Sequence, residues 1–544
     1  MSSVVHSAPA AEAPSVAHKP ASGWILRLVI FTLLMIPSAH FAWSNRDMPD
    51  FARLHDDGLL FSSARSLASG AGYRIPSLPE NPYQTKYPPL YPALLSLIWK
   101  VNPDFPGNLP LAGAMSWVIY AVCIALCWVL YRREGFEERR SWLLAGLLAV
   151  NPYVILFGCR LFSEIPFTCL LIAAFLAARR EGPKWALAAG ILAGCAYLSR
   201  TAGIALLISM PAWYVWRRQM KPAAWFAGGM LPFVVAWSVW TRMHMLASSD
   251  PGVIYYVDYV RYQFLNVGWD NIGVVLWKNV DELLYGMGSL ILPKIVALGP
   301  VKILTQVIAV AMISGVVRLA RRGITVPYAL FALVSAAMLI VWHFPPNERF
   351  VLPLFPLLVA GLVTEVEHLW TMLRAGFQHP DFGQRAVAAV FGSVVGLVLF
   401  AGFALQLYVT VHFLDESEAQ YRSKLVDLRA AYQWISRNTP DSAIIVSSDD
   451  PLLYLYSGRR GKEVPLMPRS WYASDHTAIV DAFRGSAEYS RRVGATYIYS
   501  TSDDLSRWTG DEDIAQVEQA MRTNRALMPV FSSGAGTVYR IAEQ

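Results

Sequence analysis

The sequence predicts a polytopic α-helical membrane protein of about 11 transmembrane helices, followed by a small extracytoplasmic α/β domain at its C-terminus. Three observations carry that expectation. Charged residues make up only 16% of the 544, against about 25% in soluble proteins, and the mean hydropathy is +0.37. Apolar runs recur along the chain at lengths suited to crossing about 30 Å of hydrocarbon. The last stretch, from Asp415 onward, loses that pattern. A soluble enzyme, a disordered chain and a fibre are thereby excluded. The net charge of +7 does not signal nucleic acid, because the Lys and Arg residues cluster between apolar runs, where they orient helices.

Residues 1–22 are rich in Ala, Pro and Ser and read as a disordered cytoplasmic tail. Residues 23–43 form the first apolar run. It has no convincing small-x-small cleavage site and reads as an uncleaved anchor. Further runs lie at 109–131, 141–158, 162–178, 185–199, 202–216, 223–243, 301–317, 324–342, 350–366 and 386–411. The pair within 185–216 is tight for two helices, with Ser199-Arg200-Thr201 as its apex. Together, 23–414 is expected to be one transmembrane domain with large outer loops at 44–108 and 244–300.

Within the first loop, Asp57–Ser69 reads as a short helix and Pro88–Val101 as a membrane-edge helix opened by Pro-Pro. In 415–544, Leu425, Leu428, Tyr432 and Ile435 recur at helical spacing. Residues 443–447 and 495–500 read as strands, Asp450-Pro451 opens a helical turn ending at Gly458, and 528–531 with 537–541 read as a hairpin.

With the N-terminus inside, the inner loops carry 15 Lys and Arg in about 45 residues, and the outer loops 12 in about 130. That is the asymmetry of the positive-inside rule, and an odd number of spans then puts the C-terminus outside. The expected location is the bacterial inner membrane, with the C-terminal domain periplasmic or extracellular. All five cysteines precede residue 201 and none forms a C-x-x-C pair, so the outer domain is expected to fold without disulfides.

Candidate chemistry gathers at the outer ends. Arg53, His55, Asp56 and Asp57 form the densest charged cluster. Two adjacent carboxylates beside a histidine suit a general base or a divalent cation, and equally a solvated loop. In the run 83–92, Tyr83, Lys86 and Tyr87 read as a substrate-facing lip with a cation for phosphate, or as a rigid turn in the interfacial aromatic belt. Glu164 sits in a very short turn, either paired with Arg160 or functional, since a carboxylate at a membrane edge is costly otherwise. Arg160, Arg200 and Arg349 each stand alone in an outer turn. Arginine suits bidentate phosphate contacts, and a lone arginine also snorkels to lipid head groups. His343 and Glu348 add titratable groups beside Arg349, and Asp449-Asp450 reads as a helix cap. No P-loop, dinucleotide fingerprint, H-E-x-x-H or G-x-S-x-G occurs in a suitable context, so neither ATP nor NAD is indicated.

These residues carry a resemblance. The segment H-D-D-G-L-L-F-S-S-A-R-S-L-A-S-G-A-G-Y-R-I from His55, the segment K-Y-P-P-L-Y-P-A-L-L from Lys86, the turns F-S-E-I-P-F and L-S-R-T-A-G, and R-F-V-L-P-L-F-P-L-L from Arg349 together resemble the GT-C glycosyltransferases. The nearest groups are family 39 and its relatives: protein O-mannosyltransferases, lipid A aminoarabinose transferases and bacterial transferases of lipopolysaccharide-core sugars. The resemblance spans roughly 40–365. It implies a single sugar carried on a polyprenyl phosphate as donor, and a lipid, glycan or protein acceptor. It implies an acidic residue at Asp56, with Asp57 beside it. Relatives often carry Asp-Glu where this chain has Asp-Asp-Gly, so which carboxylate acts stays open. Glu164 matches the second acidic turn, and Arg349 the late arginine facing the lipid phosphate. Metal use varies among relatives, so a divalent ion is neither required nor excluded.

The expected reaction is transfer of one sugar at the outer face, carboxylate-assisted and inverting. Asp56, Asp57 and Glu164 are the catalytic candidates, Arg349, Lys86, Arg200 and Arg160 a cationic rim for the phosphate, and Tyr83, Tyr87, His55 and His343 a substrate lip. The competing class is a transporter or flippase, which predicts midplane charges and repeated halves; neither is seen in the sequence. A non-catalytic receptor or scaffold leaves the first-loop cluster unexplained.

Overall fold

The computed structural model describes residues 22–294, 299–342, 344–466, 468–473, 475–501, 503–504 and 510–542. The expected tail at 1–21 and His343 lie outside them. The chain opens with helix α1 (Ser22–Ser44), and the first outer loop carries α2 (Asp56–Ala68) and α3 (Leu90–Val101). Then come α4 (Leu109–Arg133), α5 (Glu138–Ala149), α6 (Pro152–Cys159), α7 (Glu164–Ala178), α8 (Pro183–Ser199), α9 (Ala205–Trp216) and α10 (Met220–His244). The second outer loop holds α11 (Pro251–Val257), α12 (Tyr259–Val267) and α13 (Ile272–Ser289). The helical domain closes with α14 (Gly299–Arg321), α15 (Val326–Ile340), α16 (Glu348–Val351), α17 (Phe355–Phe377) and α18 (Phe382–Tyr408).

Each of the eleven apolar runs falls on a helix, but not each helix is a full span. Among the described residues six are long and apolar enough to cross a membrane, or seven if α5 and α6 count as one broken span. The break between those two is a 64° bend. Its cause is local. Pro152 has no N–H to give and forces Asn151 out of the helical region. The Asn151 side chain then caps α6 at the N–H groups of Tyr153 and Val154 and donates to the Leu290 carbonyl at 2.6 Å. Helices α7, α8, α9 and α15 are shorter than 18 residues. Small residues let the bundle close. A Cβ at Gly190 of α8 would lie 2.2 Å from the Phe226 carbonyl oxygen of α10. Apolar attraction adds little inside a bilayer, so such close backbone approach carries helix association there.

The boundary expected at 415 lies inside one continuous helix. A π-turn at Val409–Phe413 joins α18 to α19 (Leu414–Asn438), an unbroken run of 57 residues from Phe382. Hydropathy falls at Asp415, but Glu, Gln, Ala, Lys and Arg keep the helix going. Leu425, Tyr432 and Ile435 of α19 are buried, the last two against a five-stranded sheet of order β2-β1-β3-β5-β4. The strands are β1 (Ile444–Val446), β2 (Arg460–Lys462), β3 (Tyr497–Thr501), β4 (Leu527–Ser532) and β5 (Gly536–Ile541). Pairing is parallel for β2-β1-β3 and antiparallel for β3-β5-β4. Helix α20 (Asp450–Ser457) stops at Gly458, whose φ is +73°. Helices α21 (Pro468–Tyr472), α22 (His476–Arg484), α23 (Ser486–Arg492) and α24 (Asp511–Thr523) complete the domain.

The β2 edge of this sheet is covered by the loops. The Gly461 N–H of β2 donates to the Ser77 carbonyl at 2.8 Å, and Lys462 bonds Glu80 and Asp250 at 2.6 and 2.9 Å. The C-terminal domain therefore rests on both outer loops at once. All five cysteines are free thiols.

Candidate active site

Where α2 begins, the two long loops meet the start of α7, the end of α8 and α16. Asp56 opens α2, and its carboxylate accepts from Arg349 Nη1 at 2.7 Å and, through a very short bond, from the Tyr87 hydroxyl. Arg349 reaches with Nε to Glu164, which Arg200 Nη1 also holds at 2.6 Å. Glu164 opens α7 and is fully buried. One line of groups thus runs Tyr87–Asp56–Arg349–Glu164–Arg200, drawn from four separate segments of the chain. Burial alone raises the pKa of Asp56. The Arg349 and Lys86 charges, with the Tyr87 hydroxyl, hold it well below the usual carboxylate range.

Lys86 stands beside this line in an aromatic cage. Its Nζ lies 3.3 Å from the ring centre of Tyr255, 4.9 Å from Tyr259 and 5.2 Å from Tyr87. The side chain is buried, and Nζ makes no hydrogen bond among the described residues. Burial lowers its pKa to about 7, against the pull of Asp56 and Glu463. His55 precedes Asp56 and turns the other way, with Nε2 at 3.0 Å from Asp450 and 2.9 Å from the Tyr256 hydroxyl.

The expected rim needs one correction, and the catalytic pair another. Arg160 is not at the rim. It bonds Asp50 through Nε at 2.6 Å, pairs with Glu418 of α19, and lies over the Phe41 ring. The short turn before α7 aims it back under the first loop rather than toward Glu164. Asp57 and Asp56 diverge, as neighbours on a helix must. Asp57 accepts the Ala52 N–H at 2.9 Å and is buried under the loop that α2 caps. Burial raises its pKa to about 7. Tyr83 does not share the lip with Tyr87. It packs edge-on to Trp240 and His244 with Arg74 over its face.

Asp450 does not act as a helix cap: its carboxylate leaves α20 for His55 and Tyr256. His55, Asp56 and Asp57 do not converge on one point, and among the described residues no three His, Cys, Asp or Glu side chains could hold a metal. The tyrosine cage from the second loop and the reach of Asp450 were not read from the sequence. The only signal was the Tyr-rich run 255–262, and spacing alone does not say which lysine it surrounds.

Residues 86–240 match a family described as dolichyl-phosphate-mannose-protein mannosyltransferase. That segment carries Lys86, Glu164 and Arg200. No curated protein sequence matches. Among solved structures, the chain superposes on a crystal structure of ArnT from Cupriavidus metallidurans bound to undecaprenyl phosphate. The TM-score is 0.52 at 13% identity, over 96% of this chain and 98% of that one. The chain has a GT-C glycosyltransferase fold. The same ArnT in its apo state gives a TM-score of 0.46 at 13% identity, over 95% and 98% of the two chains. With that fold, the apolar helices belong to an integral membrane protein, and the charged line sits where the two long loops meet the helical bundle.

Proposed function

We propose that this protein transfers one sugar from a polyprenyl-phosphate donor to an acceptor hydroxyl at the outer face of the bacterial inner membrane, with inversion. The observation that carries this reading is the meeting of Asp56, Arg349 and Lys86, an ionised carboxylate against two cations, where the loops reach the membrane edge. A lipid-borne phosphate travels at that depth. The caged ammonium of Lys86 and the remaining N–H of Arg349 suit it, because a guanidinium keeps donors beyond the two carboxylates it already meets.

The chemistry follows from those groups. The acceptor O–H gives its proton to Asp56 as its oxygen bonds the anomeric carbon from the face opposite the phosphate. The anomeric C–O bond breaks, and its electron pair leaves on the polyprenyl phosphate. Lys86 and Arg349 stabilise that growing negative charge in a site screened from water. Arg200 and Glu164 hold Arg349 in register. Strong pairing to Arg349 makes Asp56 a weak base until the donor arrives. A phosphate that draws Arg349 toward itself loosens that pair and returns basicity to Asp56. The groups present do not fit a divalent ion, so no step is routed through one.

ArnT, in the crystal structure above, holds undecaprenyl phosphate, and a donor of that class is the expected substrate here. The test is transfer of labelled sugar from polyprenyl-phosphate donors into membrane extract. Net movement of the lipid-linked sugar across sealed vesicles, without transfer, would favour a flippase instead.

A further inference from the structure

We propose that Asp450, in the C-terminal domain, is a positioning residue for transfer: acting through His55, it fixes where the Asp56 carboxylate stands. The inference rests on the reading of Asp56 as the acceptor's base and extends it to a domain that supplies none of the reacting groups.

Three features carry it. First, Asp450 is fully buried, and its Oδ1 accepts from the Tyr256 hydroxyl at 2.7 Å and meets His55 Nε2 at 3.0 Å. No lysine or arginine bonds it among the described residues. A buried carboxylate needs donors and compensating charge, and the His55 ring, with Nε2 against Oδ1, is the basic group that bonds it among the described residues. Burial and the Lys86 charge oppose protonation of His55. The hydrogen bond and charge of Asp450, with Glu463, outweigh them and raise its pKa. The joint therefore ties three segments far apart in sequence: the first loop, the second loop and α20.

Second, His55 has φ +66°, in the left-handed region that residues other than glycine seldom adopt. Such a conformation persists only where its surroundings hold it. Its carbonyl accepts the Leu59 N–H at 3.0 Å and so starts α2. The angle at which Asp56 leaves the backbone is set at this residue. Freed from Asp450 and Tyr256, His55 can relax toward ordinary φ and turn Asp56 away from Arg349.

Third, the two domains touch at this point. A Cβ at Gly58, in the first turn of α2, would come within 2.8 Å of the Ala52 Cβ and 3.1 Å of the Pro451 Cβ. The start of α20 is thus seated directly on the start of α2, and only glycine fits between. A displaced α20 moves the turn that carries Asp56, and a misplacement of about 1 Å can cost about a hundredfold in rate.

The test uses the full chain in lipid, with kcat and donor KM for the polyprenyl-phosphate sugar that the wild type transfers. Polyprenyl-phosphate binding sites are counted separately, so that kcat is expressed per folded site. Asp450→Asn and His55→Gln are expected to lose about tenfold to a hundredfold in kcat per site, with donor KM within about threefold of wild type. Because one acts through the other, the double variant should be no worse than the worse single. A purely structural role would lower the number of binding sites and leave kcat per site intact, which overturns the proposal. Losses that multiply in the double variant overturn the route through His55. A wild type that binds polyprenyl phosphate yet transfers no sugar overturns the assigned function, and this inference with it. A wild type that transfers while Asp450→Asn matches it per site overturns the inference alone.

Discussion

Asp56 and Asp57 are adjacent in sequence, yet the fold gives them opposite tasks. Asp56 faces Arg349 and Tyr87, while Asp57 is buried against the Ala52 N–H. Asp56→Asn should lower transfer by about 10²–10⁴-fold, the range for losing a general base. Asp57→Asn should keep more than about a tenth of activity, because an amide oxygen still accepts the Ala52 N–H and burial already favours the neutral acid. Equal losses in both, measured as steady-state transfer, would remove that distinction. Arg349 bridges Asp56 and Glu164 through two different nitrogens. A lysine carries one point of charge and cannot span both. Arg349→Lys should therefore cut kcat/KM for the donor about tenfold or more, since one charge-assisted bond contributes roughly 1.5–3 kcal/mol. Wild-type kinetics in that variant would take Arg349 out of the site. Lys86 supplies a pH dependence. Its pKa is lowered to about 7, so the free enzyme loses this cation as pH rises through 7. The donor is a phosphodiester and stays anionic throughout. Donor kcat/KM should thus fall above about pH 7, and Lys86→Arg should flatten the profile. A wild-type profile level to pH 9 would contradict it. The sequence made Asp56 legible as part of the densest charged cluster, Lys86 as the cation of a Tyr- and Pro-rich run, Glu164 as a carboxylate in a very short turn, and Arg200 and Arg349 as lone arginines in turns. It could not separate Arg160 from them, because a lone arginine in a short turn looks the same whichever way it points.

Arg160 belongs to the joint between elements. It links α1, the first loop and α19 through Phe41, Asp50 and Glu418. Arg422 of α19 adds a pair to Asp47 at 2.8 Å. Removing Arg160 leaves the Glu418 carboxylate buried without its partner, and breaking a buried pair from one side costs about 3–5 kcal/mol. Arg160→Ala should therefore lower Tm in detergent by several degrees, while the molecules that remain folded keep a wild-type donor KM. A large KM increase with unchanged Tm would return Arg160 to the rim. At this scale the helices and four of the five strands were readable, and β2 was not. Apolar length marked each helix, although Asn151-Pro152 broke one where hydropathy ran on. Strand β2 is Arg-Gly-Lys, with no apolar residue to announce it. Pairing to Ile444–Val446 on one side and Ser77 on the other creates it. The end of the bundle at Asp415 was read from polarity, but polarity changed there while backbone preference did not, so the helix continued.

The loops of the whole molecule sort into two ends. Asp56, Glu164, Arg200 and Arg349 meet at one. At the other, Arg179 pairs with Glu134 at 2.5 Å, Arg27 with Glu138 at 2.7 Å, and Arg140 with Glu367. These contacts join the loops 131–140, 179–184 and 367–385, the same set that holds most of the cationic density in the sequence. Packing and charge pattern are separate lines of reasoning, since no membrane potential enters a side-chain contact, and they agree for the loops these contacts join. Which end faces out is decided by the positive-inside rule alone, so it can be tested alone. Glu181 lies exposed in a loop at the cationic end, and Ser442 is exposed in the C-terminal domain beside β1. With a membrane-impermeant thiol reagent on intact cells, and wild type as background, Ser442→Cys should label and Glu181→Cys should label only after the membrane is opened. Reversed labelling would put the charged line on the cytoplasmic side and require a donor from the inner leaflet. Labelling of both in intact cells would contradict the division of loops itself. The expected pattern would tie the chemistry to one leaflet, with the cations proposed to meet the phosphate on the side where Lys and Arg are otherwise sparse.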